Sequence, residues 1–122
     1  MVDRVLYLID DDESARVATT LLLDVNGYSV TAFESAEAFL QNVNTPRGTV
    51  IADVQLPGIS GLQLLRKLTA RECAVSIVLM SAQADDALAA EAMNAGAVSL
   101  LLKPVHPGRL MEIIEQCVGR DA

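Results

Sequence analysis

Tryptophan is absent from this chain, and Tyr and Phe number two each, so aromatic residues make up only 3% of it. Proteins that stack nucleobases on aromatic side chains need more rings than this. A core built without rings must come from Leu, Val, Ile and Ala, and the 52% hydrophobic content allows one. Cysteine is scarce too. Cys73 and Cys117 lie far apart with no CxxC or Cys/His spacing, so no zinc site is written here. Both read as reduced core thiols of a cytosolic protein. Asp3 and Arg4 interrupt any apolar opening, which argues against a secretory leader. No apolar run reaches the roughly 18 residues of a membrane span. Positive charge is also short: 9 Lys and Arg stand against 16 Asp and Glu, a net charge of −7. Phosphate backbones and anionic membranes repel such a surface, whereas cations are drawn to it.

What is present is alternation. "RVLYLI" (4–9) is nearly all apolar, as in a strand buried on both faces. "ESARVATTLLLDVNG" then places Val17, Ala18, Leu21, Leu22 and Val25 at helical spacing, with Gly27 as a stop. Strands are expected at 28–33, 49–53, 75–81 and 97–102. Helices are expected over 35–43 with Ser35 as cap, over "GLQLLRKLTA", over "DDALAAEAMNAG", and over "RLMEIIEQCVG". The inward positions are Leu62, Leu65 and Leu68 in the third helix, and Leu110, Ile113, Ile114 and Cys117 in the last. Strand–helix units repeated in this way imply a parallel sheet with helices on both faces. The 122 residues fit one domain, 1–122, with no linker or effector domain inside it.

In open α/β sheets, ligands bind beyond the carboxyl ends of the strands. The first strand ends at Asp10 and Asp11, the third at Asp53, the fourth at Ser81 and the fifth at Lys103. Asp12 and Glu13 are explained by the start of a helix, where acids favour the dipole. Asp53 has breakers between itself and the next helix, so capping does not explain it. Three carboxylates at adjacent strand ends call for a hard divalent cation with oxygen ligands, and Mg²⁺ is the common choice. Lys103, one of two lysines, could pair with a carboxylate or a phosphoryl oxygen. Pro104 fixes the turn after it and permits a cis bond. Ser81 offers a hydroxyl to the site or, equally, a cap to the next helix. This set is what phosphoryl transfer requires: a nucleophile, a metal, and donors for developing charge. His106 lies in a loop between two prolines, with no helix to present it, and is left out of the site.

The segments "IDDDE" (9–13), "ADVQLPGISG" (52–61), "LMSAQ" (79–83), "MNAGAV" (93–98) and "LLKP" (101–104), in this order, resemble the receiver domain of two-component response regulators. The resemblance covers residues 1 to about 118. "YSVTAFESAEAFL" and "AMNAGAVSLLLKP" resemble the FixJ type of receiver, which usually precedes a LuxR-type helix-turn-helix domain.

The resemblance implies a flavodoxin-like (βα)5 three-layer sandwich with strand order 2-1-3-4-5. It implies Asp53 as phosphoacceptor, sharing Mg²⁺ with Asp11 directly, Asp10 through water and the backbone carbonyl of Gln55. Mn²⁺ could substitute. Lys103 would contact the phosphoryl group, and Ser81 would bond to it and swing inward on activation. Gln55 and Gln83 would tune hydrolysis of the aspartyl phosphate. This chain would be cytoplasmic, its partner a sensor histidine kinase and its output transcription, and a homodimer could form through the last strand and its flanking helices. Such a chain modifies itself and is not an enzyme acting on other substrates. It neither binds nucleic acid directly nor enters a membrane.

Three positions depart from the family pattern, the mildest being Leu56, where methionine is commoner. Leu100 stands where Phe or Tyr is usual, and Val105 replaces a frequent aromatic after the Lys-Pro pair. A leucine has no ring to rotate inward, which leaves a phosphate-independent interaction module as the alternative. A Mg²⁺-dependent phosphatase would use similar chemistry, but this chain carries no substrate-enclosing cap.

Overall fold

The computed structural model describes residues 5–121, and side chains through residue 118. Five strands alternate with five helices: β1 (Val5–Ile9), α1 (Glu13–Val25), β2 (Ser29–Phe33), α2 (Ala36–Asn42), β3 (Gly48–Asp53), α3 (Gly61–Ala70), β4 (Val75–Ser81), α4 (Asp86–Asn94), β5 (Ser99–Leu102) and α5 (Pro107–Asp121). All pairings are parallel and the sheet order is β2-β1-β3-β4-β5. This is the flavodoxin-like architecture. The expected start of the first strand at Arg4 lies outside the described residues.

Strand alternation divides the core into two layers. Val50, Ala52, Ile77 and Leu79 face one side and pack with Phe39, Leu64, Leu65 and Leu68 of α2 and α3. Leu6, Leu8, Ile51, Val78 and Met80 face the other and pack with Leu23 of α1 and Leu110, Ile113, Ile114 and Cys117 of α5. The few aromatics are concentrated. Tyr7 and Phe33 both meet Phe39 edge-to-face, with centroids 5.3 and 5.6 Å apart.

Caps lie where polar residues interrupt the apolar pattern. Asp12 accepts from Ser14 N, Ser35 from Ala38 N, and Asp85 from Ala87 N and Leu88 N. Ser60 and Gln63 form a reciprocal capping box. Ser81 therefore does not cap α4; Asp85 does.

Several expectations are corrected. Val17, Leu21 and Val25 are 52%, 59% and 80% exposed, while Leu23 is fully buried, so the inner face of α1 is not the one that its apolar spacing suggests. Cys117 is a core thiol, but Cys73 is only partly buried, at the rim of the first layer. The last helix begins at Pro107, not Arg109, because a proline without an N–H suits the first helical position. β5 begins at Ser99, although Val98 N already donates to Ile77 O at 2.8 Å.

Candidate functional site

Parallel register brings the strand ends together. Ile9 lies beside Ala52 of β3, Asp53 beside Met80, and Ser81 beside Leu102. The residues that follow therefore meet at one edge. Backbone bonds hold them: Asp10 N to Phe33 O at 3.1 Å, Val54 N to Met80 O at 2.8 Å, and Lys103 N to Ser81 O at 2.8 Å.

Carboxylate oxygens of Asp10, Asp11 and Asp53 lie within 4.8 Å of one another. Asp10 and Asp53 are buried, 2% and 5% exposed, while Asp11 faces solvent. Lys103 reaches both buried acids. Its Nζ donates to Asp53 Oδ2 in a close contact and lies 3.4 Å from Asp10 Oδ2. Burial of Lys103 works against its charge. The hydrogen bond to Asp53 and the charges of Asp10 and Asp53 outweigh it, and its pKa stands above the usual 10.5. One ammonium against three carboxylates leaves the edge negative, and all available donors are oxygens. That set fits a hard divalent cation.

The other oxygens of the two buried aspartates have defined partners. Asp53 Oδ1 accepts from Gln55 N at 2.9 Å, and Asp10 Oδ1 from Asp12 N at 3.0 Å. Gln55 and Gln83 are exposed and flank the edge. Ser81 is fully buried. Its hydroxyl donates to Gln83 O at 3.3 Å and accepts from Gln83 N at 3.1 Å, so it is turned into the β4–α4 loop. Leu100 is half-buried against the first core layer. His106 is exposed, and its Nδ1 accepts from Gly108 N at 3.1 Å. Beside Lys103 a groove of 430 Å³ runs between α1 and α5, lined by Asp10, Asp12, Leu22, Val105 and Leu110 among others.

Two supporting residues were not anticipated. Arg16 Nη1 donates to Asp10 O at 2.7 Å and braces the end of β1 from α1. Nothing in the helical spacing separates it from a surface arginine. Gly61 opens α3 directly beneath Asp53: a Cβ there would collide with the Asp53 carbonyl oxygen and lie 2.9 Å from its carbon. The glycine in "ISGLQ" was read as a breaker and as the start of the third helix, but not as the point where that helix presses on Asp53.

A parallel sheet whose carboxyl edge gathers two buried aspartates, an exposed one and a lysine defines a response regulator receiver. The chain belongs to that family: the response regulator receiver domain matches residues 6–115. Within it, the chain resembles the transcriptional regulatory protein FixJ. It is 39% identical to FixJ of Azorhizobium caulinodans over 96% of this chain, and 40% identical to that of Bradyrhizobium diazoefficiens over 93%. It spans about half the length of these relatives, 56% in each case. Full-length FixJ from B. japonicum superposes with a TM-score of 0.89 at 37% identity, covering 99% of this chain and 60% of that one. The crystal structure of FixJ-N gives 0.88 at 33% identity, covering 98% of this chain and 96% of that one. The receiver family implies a sensor kinase as partner and an acidic pocket for Mg²⁺. Among the described residues, no helix is long and apolar enough to cross a membrane.

Proposed function

We propose that this chain is a phosphoacceptor switch that takes a phosphoryl group on Asp53 from a sensor histidine kinase in the cytoplasm. The observation that carries this is Asp53 itself: a buried carboxylate at the end of the central strand, bonded to Lys103 and beside Asp10 and Asp11. An Asp53 carboxylate oxygen attacks phosphorus, an O–P bond forms, and the bond to the donor's imidazole nitrogen breaks. The nitrogen keeps the electron pair and takes a proton from solvent. Lys103 moves with the transferred group, pairing with its oxygens in place of Asp53 Oδ2.

Asp10, Asp11, Asp53 and the Gln55 carbonyl would hold Mg²⁺, or Mn²⁺ in its place. The ion supplies charge neutralisation for the transferring phosphoryl oxygens. Ser81 would then leave Gln83 and donate to the phosphoryl group. Gln55 and Gln83 would shield it and set its lifetime. The chain modifies itself, turning over no separate substrate. The output, by likeness to the FixJ regulators, is transcription. The half-exposed Met93 on α4 and Leu102 on β5 support a homodimer through that face. Leu100 has no ring to rotate, so the signal would pass by repacking of leucines.

Intact mass after incubation with acetyl phosphate tests the reading. One phosphoryl group, dependent on Mg²⁺ and absent in Asp53→Asn, is expected. Stoichiometric labelling of Asp53→Asn would remove Asp53 from its role.

A further inference from the structure

Glu37 sits in the first turn of α2, where an acid ordinarily serves its own helix end. It does something else. Its Oε2 accepts from Ile59 N at 3.2 Å, across 22 residues, and so ties α2 to the loop between β3 and α3. Its Oε1 is buried with no hydrogen-bond partner among the described residues. Withdrawing a carboxylate oxygen from water carries a cost, and the bond to Ile59 is what the position provides in return. The loop is shaped around this carboxylate. Gly58 has a φ of +74°, and a Cβ there would fall on Oε2 and lie 3.1 Å from Cδ.

The loop from Gln55 to Ile59 thus has two ties. Gln55 N donates to Asp53 Oδ1 at 2.9 Å, and Ile59 N donates to Glu37. The first tie uses the oxygens that phosphorylation and cation binding engage. The second is independent of that chemistry. We propose that Glu37 is a positioning residue: it fixes the β3–α3 loop, so that the Gln55 carbonyl stays preorganised for the cation while Asp53 is occupied. This rests on the reading of Asp53, Gln55 and Mg²⁺ given above.

Amide hydrogen exchange on the metal-free chain, followed by Mg²⁺ titration, tests it. Glu37→Ala is expected to speed exchange at Ile59 by about tenfold, the worth of one hydrogen bond. Its Mg²⁺ affinity should fall by about fivefold, as a loosened ligand implies. Glu37→Gln still presents an oxygen to Ile59 and should stay within about twofold of wild type on both readouts. Gly58→Ala pushes the Glu37 carboxylate away and strains a left-handed position, so it should lose at least as much Mg²⁺ affinity as Glu37→Ala does. The double variant should be no weaker than Gly58→Ala alone, because the alanine's left-handed strain is common to both and the tie to Glu37 is already broken in the single variant. Unchanged Ile59 exchange or unchanged Mg²⁺ affinity in Glu37→Ala overturns the role. Equal losses in Glu37→Gln overturn it as well, since they would assign the effect to charge. If wild-type protein binds no Mg²⁺, the reading of the acidic edge falls and Glu37 with it. If wild type binds and Glu37→Ala binds equally, Glu37 alone falls.

Discussion

Lys103 is the counter-ion of two buried acids, and its removal would leave Asp10 and Asp53 facing each other without a cation. Breaking a buried pair by deleting one partner is costly. Because Lys103 is 27% exposed, solvent offsets part of that cost. Lys103→Met is therefore expected to lower stability in EDTA by about 1–2 kcal/mol, read by urea denaturation. Addition of Mg²⁺ should recover much of the loss, since a bound cation replaces the missing charge. A loss that Mg²⁺ leaves untouched would mean that Lys103 acts through packing alone. Gly61 makes a different demand. The backbone of Asp53 occupies the space of a side chain, so Gly61→Ala must push α3 away from β3. Overpacking of this kind costs about 2 kcal/mol, and a melt would show it. At this scale Asp10, Asp11, Asp53 and Lys103 were legible because strand ends are legible, and each lies at or just past the end of an apolar run. Arg16 and Glu37 were not. Both act through backbone groups of another element, and a bond to a distant N–H or C=O leaves no pattern in the local sequence.

Elements were read well where apolar residues match the buried positions and poorly where they outnumber them. β1, β3 and β4 lie inside the sheet with helices on both faces, so their apolar runs mark them directly. α3 and α5 are buried along one face, and they follow their leucine and isoleucine spacing because each carries one apolar stripe. α1 lies along the edge of its layer, and its apolar residues outnumber the places that the sheet offers. Val17, Leu21 and Val25 keep the helical period but face solvent, while Leu23 takes the core position. Periodicity identifies a helix without choosing its inner face when two apolar stripes compete. The consequence is measurable. Leu23→Ala should cost about 3 kcal/mol, as a fully buried leucine does, whereas Leu21→Ala should stay within about 0.5 kcal/mol. Equal losses in urea denaturation would show that α1 is rotated relative to the position described. Pro107 carries the same lesson in smaller form. A proline was read as loop because it breaks helices, yet at the first turn it begins one.

The whole molecule carries a net charge of −7 and concentrates three carboxylates at one edge of its sheet. Mutual repulsion there is a cost of the folded state that the unfolded chain, with its acids dispersed, largely escapes. A ligand that binds only the folded form repays this by mass action. At about 100 times its dissociation constant, Mg²⁺ should stabilise the protein by about 2.7 kcal/mol. General screening of the excess negative charge would also stabilise it, so the two contributions must be separated. Sodium chloride at matched ionic strength reports screening alone, and the further gain with Mg²⁺ reports the site. Asp11 is the exposed member of the cluster, so Asp11→Asn removes a proposed metal ligand without leaving a buried charge unpaired. That variant should match wild type in sodium chloride, or exceed it slightly through relieved repulsion, and lose the Mg²⁺-specific increment. Thermal melts of the two proteins in the two salts decide the matter. An increment that survives Asp11→Asn would place the bound ion somewhere other than the carboxyl edge, and with it the chemistry assigned to Asp53.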